Sequence, residues 1–228
     1  MPEGRPQPAL LTMENTSRVV IFANGLVPDP DKLRPLLTSN DFILCADGGT
    51  RLALALDLTP HAVIGDMDSI AGADLARIEA ARIPMRQFPQ DKDETDLQLA
   101  LQVALERKPH AILILGALGG RLDHTLGNLS MLTDPRLSGI DCRLDDGVEE
   151  AFLCQTHAGV RGRPGDLVSL IPWGSPVTGV RTDGLRWHLA GETLYPDKTR
   201  GISNEMLGGS AAIDIKRGFL LVIHSRRS

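Results

Sequence analysis

Two carboxylates that follow an apolar run near the middle of the first half of the chain could hold a metal ion. Asp66 and Asp68, in the segment GDMDS, are separated by Met67 and would project from the same side of an extended chain. Mg²⁺ prefers hard oxygen ligands of this kind and often shares them with substrate phosphates. The same segment also fits a capping turn, in which Asp68 or Ser69 bonds the backbone of the next element.

A glycine pair follows an earlier apolar run, in the segment ADGG. Gly48 and Gly49 would let the backbone approach a phosphate just before a helix N-terminus. A tight turn capped by Asp47 fits the same residues equally well.

Two further polar segments precede predicted helices. DKDETD (91–96) is denser in charge than a helix cap requires, because Thr95 alone can cap, although such clusters are more often solvated surface. GGRLDH (119–124) combines flexible backbone with Arg121, whose guanidinium suits bidentate phosphate binding. His124 in this segment is interpreted as a supporting residue at the start of a helix.

A tryptophan and a polar turn stand out in the second half of the chain. Trp187, in GLRWHL, could stack on a flat cationic ring, and Ser203 and Asn204 could hydrogen-bond the edge of a heterocycle. Taken alone, Trp187 fits a core position as well as a binding surface.

The elements that must position the first four segments alternate between strands and helices. Strands are predicted at 18–23, 42–46, 61–64 and 111–115, and helices at 50–58, 74–82, 96–106 and 124–132. This alternation predicts a mostly parallel α/β sheet, in which ligands bind at the carboxyl ends of the strands. The sequence has neither GxxxxGK[ST] nor GxGxxG, which disfavours a P-loop kinase and a dinucleotide-binding Rossmann enzyme.

Short β-rich runs and glycine or proline turns replace this alternation beyond residue 139. Runs at 167–171, 211–215 and 219–223 predict an antiparallel β-sandwich. The sequence therefore predicts a loose tail at 1–16, an α/β domain at 17–135 and a sandwich domain at 140–228.

Composition excludes several classes of protein. The 228 residues carry a net charge of −5, which argues against a nucleic-acid partner, and no run of about 20 apolar residues could cross a membrane. Three cysteines in no metal-binding spacing predict reduced thiols in the cytoplasm. Residues 41–100 contain 11 acidic and 5 basic residues, so the acid surplus is local and fits a metal ion that binds an anionic ligand.

Together, ADGG, GDMDS, DKDETD, GGRLDH, GLRWHL and the Ser203-Asn204 pair resemble the thiamine pyrophosphokinase family in that family's order. The resemblance implies an N-terminal α/β catalytic domain that binds ATP and Mg²⁺, and a C-terminal β-sandwich that binds thiamine. It also implies a homodimer with the thiamine sites between subunits. The implied reaction converts ATP and thiamine to AMP and thiamine diphosphate.

The resemblance also implies roles for individual residues. Mg²⁺ is assigned to Asp66, Asp68 and Asp96; ATP to Gly48, Gly49, Lys92, Thr95, Gly119 and Arg121; thiamine to Trp187, Ser203 and Asn204. Asp47 and Asp123 are the remaining catalytic acids, either of which could orient or deprotonate the attacking hydroxyl. The alternatives are a diphosphokinase for another heterocyclic alcohol and a non-catalytic protein that binds thiamine or a nucleotide.

Overall fold

The computed structural model describes residues 17–91 and 93–227, which divide into two compact units. The first unit contains the described residues up to 128 and residues 138–141, and the second contains residues 129–137 and those from 142 onward. The predicted tail and Lys92 lie outside the described residues.

The first unit is built on five parallel strands. They are β1 (Arg18–Phe22), β2 (Phe42–Ala46), β3 (Ala62–Gly65), β4 (Met85–Gln87) and β5 (Ala111–Leu115). Their order is β5-β1-β2-β3-β4, and every neighbouring pair is parallel. All five carboxyl ends therefore lie along one edge of the sheet.

A helix follows each of β2, β3, β4 and β5 in the chain. These helices are α1 (Thr50–Ala55), α2 (Gly72–Ala80), α3 (Asp96–Glu106) and α4 (Leu122–Met131), with 3₁₀ turns at Pro30–Leu36 and Asp47–Gly49. The strands β2, β3 and β5, and β1 after Arg18, are continuous apolar runs because both faces of a parallel sheet are covered. Thr95 Oγ1 accepts a hydrogen bond from Gln98 N at 3.2 Å, which confirms the predicted cap of α3.

Nine further strands follow in the described residues from 141 onward. They are β6 (Asp141–Asp145), β7 (Glu149–Cys154), β8 (His157–Arg161), β9 (Leu167–Pro172), β10 (Val177–Asp183), β11 (Ala190–Leu194), β12 (Asn204–Glu205), β13 (Ser210–Asp214) and β14 (Leu220–Ser225). One antiparallel sheet has the order β12-β9-β14-β7-β6 and the other β11-β10-β13-β8. Phe152 and Val222 of one sheet share a core with Val180 and Ile213 of the other. The predicted fold class, a mostly parallel α/β part followed by an antiparallel sandwich, is confirmed.

A buried ionic network crosses the first sheet of the sandwich. The ring of His224 is fully buried, with Nδ1 3.0 Å from Glu150 Oε1 and Nε2 3.1 Å from Asp166 Oδ2. Arg226 donates to both carboxylate oxygens of Asp145, at 2.9 and 2.7 Å, and Arg143 donates to Glu150 at 3.1 Å. Every carboxylate of this network therefore faces a cationic partner or the His224 ring.

No helix in the described part of the chain combines the length and apolar character needed to span a membrane. Cys45, Cys142 and Cys154 are all buried and free, as expected for small core residues.

Candidate active site

Three aspartates converge at the carboxyl ends of β2 and β3. Asp47 directly follows β2, and Asp66 and Asp68 follow β3. One carboxylate oxygen from each lies within 4.8 Å of the other two. The two strand ends, which are neighbours in the sheet, thus bring together acids that are about 20 residues apart in the sequence.

Asp96 reaches the same place from the start of α3. A Cβ atom on Gly65 would lie 2.9 Å from Asp47 Cβ and 3.1 Å from Asp96 Oδ1, so these two side chains pack against the bare backbone of Gly65. Gly65 has φ +148°, which other residues rarely adopt. A side chain at this position would displace the acidic groups.

Asp47 is the most buried acid of this cluster, at 4% exposure. Its Oδ2 accepts a hydrogen bond from Ser69 N at 3.2 Å, whereas its buried Oδ1 has no hydrogen-bond partner among the described residues. Burial raises the pKa of Asp47, the Ser69 hydrogen bond opposes this, and the nearby charge of Asp96 raises it further. An orphaned buried oxygen among carboxylates fits a divalent cation with hard oxygen ligands.

The acidic turn after β3 is not extended, and this corrects the geometric reason given for pairing Asp66 with Asp68. Met67 has φ +69°, and Asp68 N donates to Asp66 Oδ1 at 3.2 Å. The carboxylates therefore meet through a tight turn rather than through strand alternation. Gln90 Nε2 donates to Asp68 Oδ2 at 2.8 Å and supports the turn from the chain after β4.

The glycines of ADGG are explained by chain packing. A Cβ atom on Gly48 would lie 2.4 Å from Asn24 Nδ2, and one on Gly49 would lie 2.1 Å from Phe22 O. Both glycines are buried, so the phosphate approach that the sequence suggested is not needed to account for them. Contact of Gly48 and Gly49 with ATP stays a prediction.

A cleft of about 550 Å³ opens beside the acidic cluster. Its lining includes the predicted residues Asp47, Thr95, Asp96, Gly119 and Arg121, and also Asn24, Leu26, Arg51, His124 and Asn128. No motif singled out Arg51, although it lies two residues after ADGG, in the first turn of α1. Arg51 is exposed and has no ion pair with the described residues, so its guanidinium is available to an anion.

Arg121 and Asp123 are bound to each other. Arg121 donates to the two carboxylate oxygens of Asp123 at 3.2 and 2.6 Å, and both side chains are exposed. This hydrogen-bonded pair lowers the pKa of Asp123. Asp123 does not line the cleft, so the structure does not bring it to the carboxylate cluster as it does Asp47.

The predicted tryptophan site lies in the second unit, where Trp187 is 56% exposed and not a core residue. It lines a cavity of about 360 Å³ with Leu189, Arg200, Gly201 and Asn204. Ser203 is exposed, has φ +58°, and directly precedes the cavity residue Asn204 in the sequence. The side chain of Asn204 instead hydrogen-bonds the backbone of Trp187.

Fold and site together define an α/β protein with a carboxylate cluster at the strand ends of its parallel sheet, followed by an antiparallel sandwich. The profile described as "Thiamin pyrophosphokinase, catalytic domain" matches residues 33–144. The profile described as "Thiamin pyrophosphokinase, vitamin B1 binding domain" matches residues 157–220.

Named relatives and solved structures agree with these profiles. Thiamine pyrophosphokinase of Bacillus subtilis is 32% identical over 208 residues, covering 89% of this chain and 97% of its own. Its Oryza sativa counterpart, thiamine pyrophosphokinase 1, is 29% identical over 81% of this chain and 78% of its own. The solved Bacillus subtilis structure superposes with a TM-score of 0.84 at 28% identity, over 92% of this chain and 100% of that one. A thiamin pyrophosphokinase family protein from Enterococcus faecalis superposes with a TM-score of 0.78 at 29% identity, over 93% and 100%.

The chain belongs to the thiamine pyrophosphokinase family.

Proposed function

We propose that this protein transfers the diphosphoryl group of ATP to the hydroxyethyl oxygen of thiamine, giving thiamine diphosphate and AMP. The observation that carries the proposal is the convergence of Asp47, Asp66 and Asp68 within 4.8 Å beside a large cleft, in a chain of this family. Such transfers depend mainly on positioning and on neutralising phosphate charge.

Asp66, Asp68 and Asp96 would hold the divalent ion, which we propose is Mg²⁺. Their hard oxygen atoms suit it, and a carboxylate oxygen of Asp47 lies within 4.8 Å of one from Asp66 and one from Asp68. When bound, such an ion neutralises charge on the transferring phosphates.

The cleft residues would hold the nucleotide. Arg51 is the available cation on the wall, Arg121 stands at the glycine-rich loop, and Gly119 and Thr95 contribute polar backbone and a hydroxyl. Lys92, which lies outside the described residues, keeps its predicted phosphate contact as a proposal.

Asp47 is the better of the two acids for handling the attacking hydroxyl. As the thiamine oxygen bonds to the β-phosphorus, the bond from that phosphorus to the bridging oxygen of AMP breaks, and the hydroxyl proton must leave. Asp47 lines the cleft and belongs to the carboxylate cluster, whereas Asp123 is bound to Arg121 and does not line the cleft. We assign the proton to Asp47.

The two parts of the chain would divide the work between them. Residues 17–135 form the ATP and metal domain, and residues 140–228 form the thiamine domain, in which the exposed Trp187 stacks on a thiamine ring. Ser203 would hydrogen-bond the pyrimidine edge. The proposal includes a homodimer with thiamine sites between subunits, and a cytoplasmic location that agrees with three buried free thiols.

The test is to incubate the purified protein with ATP, Mg²⁺ and thiamine and to separate the products. AMP and thiamine diphosphate in equal amounts are expected. ADP with thiamine monophosphate would indicate a single-phosphoryl kinase, and binding without turnover would indicate a non-catalytic protein. Replacing thiamine by its hydroxymethylpyrimidine half tests the alternative of another heterocyclic alcohol, and turnover is expected to fall sharply.

A further inference from the structure

The side-chain amide of Asn204 is hydrogen-bonded mainly to the backbone of Trp187. Its Oδ1 accepts from Trp187 N at 2.9 Å and from Glu205 N at 2.9 Å, and its Nδ2 donates to Trp187 O at 2.7 Å. An amide side chain has two acceptor sites and two N–H groups, so three of these four are used within the protein. Asn204 is only 7% exposed, which limits what a ligand could reach.

The segment around Trp187 is anchored by its backbone while its ring is left outside. Arg186 N donates to Glu205 O at 2.9 Å, and Leu185 forms an antiparallel β-bridge with Met206, so the segment lies beside β12. The indole ring remains 56% exposed, next to the guanidinium carbon of Arg186 at 5.2 Å from the ring centroid. More than half of Trp187 therefore lies outside the core, and its hydrogen-bonded backbone limits the directions that the ring can take.

We propose that Asn204 is a positioning residue whose buried amide fixes the backbone of Trp187, so that the exposed indole ring is held at the mouth of the cavity for a flat aromatic cation. This role replaces the direct hydrogen bond to the pyrimidine edge that the sequence suggested for Asn204. It rests on the proposed function for the nature of the ligand. The anchoring itself, however, can be measured without any ligand.

The first experiment measures the ring in substrate-free protein. A Trp173→Phe background leaves Trp187 as the single tryptophan, because the chain has two. Asn204→Ala is expected to lower the fluorescence anisotropy of Trp187 and to raise its acrylamide quenching about twofold, because a side chain without its backbone anchor samples more orientations. Asn204→Asp is expected to do the same, since a carboxylate oxygen would face Trp187 O.

Thr182→Val is the matched control. Thr182 Oγ1 accepts from Leu189 N at 2.9 Å and is also buried, so its loss removes a hydrogen bond from the same segment without touching the backbone of Trp187. Anisotropy and quenching are expected to stay at the parent values. If Thr182→Val changes them as much as Asn204→Ala, general loosening explains the effect and the proposal is wrong.

The second experiment is a double-mutant cycle on the KM for thiamine. Asn204→Ala alone is expected to raise the KM for thiamine about tenfold and to leave the KM for ATP unchanged. A tenfold rise corresponds to about a tenth of the molecules having the Trp187 ring in the orientation that binds thiamine. In a Trp187→Ala background, Asn204→Ala is expected to add less than about twofold, because a residue that acts through the ring has nothing left to position.

Additive effects would overturn the proposal, because they would place the remaining Nδ2–H of Asn204 on the substrate. Unchanged Trp187 fluorescence in Asn204→Ala would overturn it independently. If the parent protein turns over no thiamine but the fluorescence result holds, the proposed function fails while the anchoring stands.

Discussion

Both units bring carboxylates close together, but the buried carboxylates of the two units have different neighbours. In the sandwich, Asp145 faces Arg226, and Glu150 faces Arg143 and His224. At the strand ends of the α/β unit, Asp47 is equally buried, yet its neighbours are acids and it has no ion pair with the described residues.

This difference distinguishes a structural ion-pair network from the site that we propose binds a cation. Buried charges that are paired and hydrogen-bonded can stand without a ligand, whereas gathered like charges raise one another's energy until a cation arrives. Position in the sequence does not distinguish the two cases. Asp41 belongs to the acid-rich stretch 41–100, yet its carboxylate is held by Arg18 at 2.7 Å.

Asp66→Asn should break the carboxylate cluster at the strand ends and have the largest effect on activity. We expect kcat to fall about a hundred- to a thousandfold, because one hard ligand for the cation is lost. The melting temperature should change little, because asparagine keeps a side-chain oxygen that can accept the hydrogen bond from Asp68 N. Asp93→Asn, which removes the same charge from an exposed position in DKDETD, is the control and should keep near-parent AMP formation. Near-parent activity of Asp66→Asn would make the acidic turn structural.

His224→Ala should break the buried ionic network of the sandwich and lower the free energy of unfolding. We expect a loss of about 3 to 5 kcal/mol in denaturant unfolding, because Glu150 and Asp166 would lose a buried partner. His157→Ala removes an exposed histidine bound to Asp214 at 2.8 Å and should cost far less. Equal losses would contradict the contrast between buried and exposed pairs.

The same histidine predicts a pH dependence of stability. Burial lowers the pKa of His224, but hydrogen bonds to Glu150 and Asp166 outweigh it and leave the pKa above its ordinary value of 6.5. Its contribution is therefore complete below pH 6.5 and is lost as the pH rises through the folded-state pKa. Melting temperatures should show this alkaline decline in the parent, and His224→Ala should lack it. Parallel curves for the two proteins would refute the linkage.

Trp187→Ala tests the cavity of the second unit, where we propose that aromatic stacking rather than charge binds the ligand. We expect the KM for thiamine to rise roughly tenfold or more, while the KM for ATP changes by less than about twofold. Tyr195→Ala, another half-exposed aromatic residue of the sandwich, is the control and should change neither constant much. Equal increases in both KM values would argue against stacking.

Arg51→Gln should have the smallest effect. The KM for ATP should rise about three- to tenfold, because a cation on the cleft wall is replaced by a neutral amide, and the KM for thiamine should not change. Arg77→Gln, on the exposed surface of α2, should leave both constants at parent values. No change for Arg51→Gln would remove this residue from the nucleotide site.

The elements with a strong periodic pattern were the ones that could be predicted. α3 was predicted with its bounds because its apolar positions recur every turn and Thr95 caps it. β4, with the sequence Met-Arg-Gln, was missed because it is short and not apolar, and most sandwich strands were missed because their alternation is weak. The bounds of α2 moved by two residues, and α4 begins two residues and ends one residue earlier than predicted, which is common at helix ends. The predicted end of α1 at residue 58 was wrong, because the helix stops at Ala55.

The backbone conformation of the site residues could not be predicted from the local sequence pattern. Asp47, Met67 and Ser203 all have positive φ without being glycine, a conformation that only surrounding structure can impose. Arg51 lies in a cleft because of where α1 starts, and nothing in its neighbours in the sequence marks it.

The sequence by itself determined the class of fold, the family and the acidic segments, because these depend on residue type and spacing along the chain. Only the tertiary structure decided which acids are compensated, since counter-charges such as Arg18 and His224 come from distant segments. It also decided that Asn204 faces the backbone of Trp187, because two chain segments must lie side by side before an amide can bridge them. Hydrogen bonds and charges act through space over a few ångströms, and that proximity exists only in the folded chain.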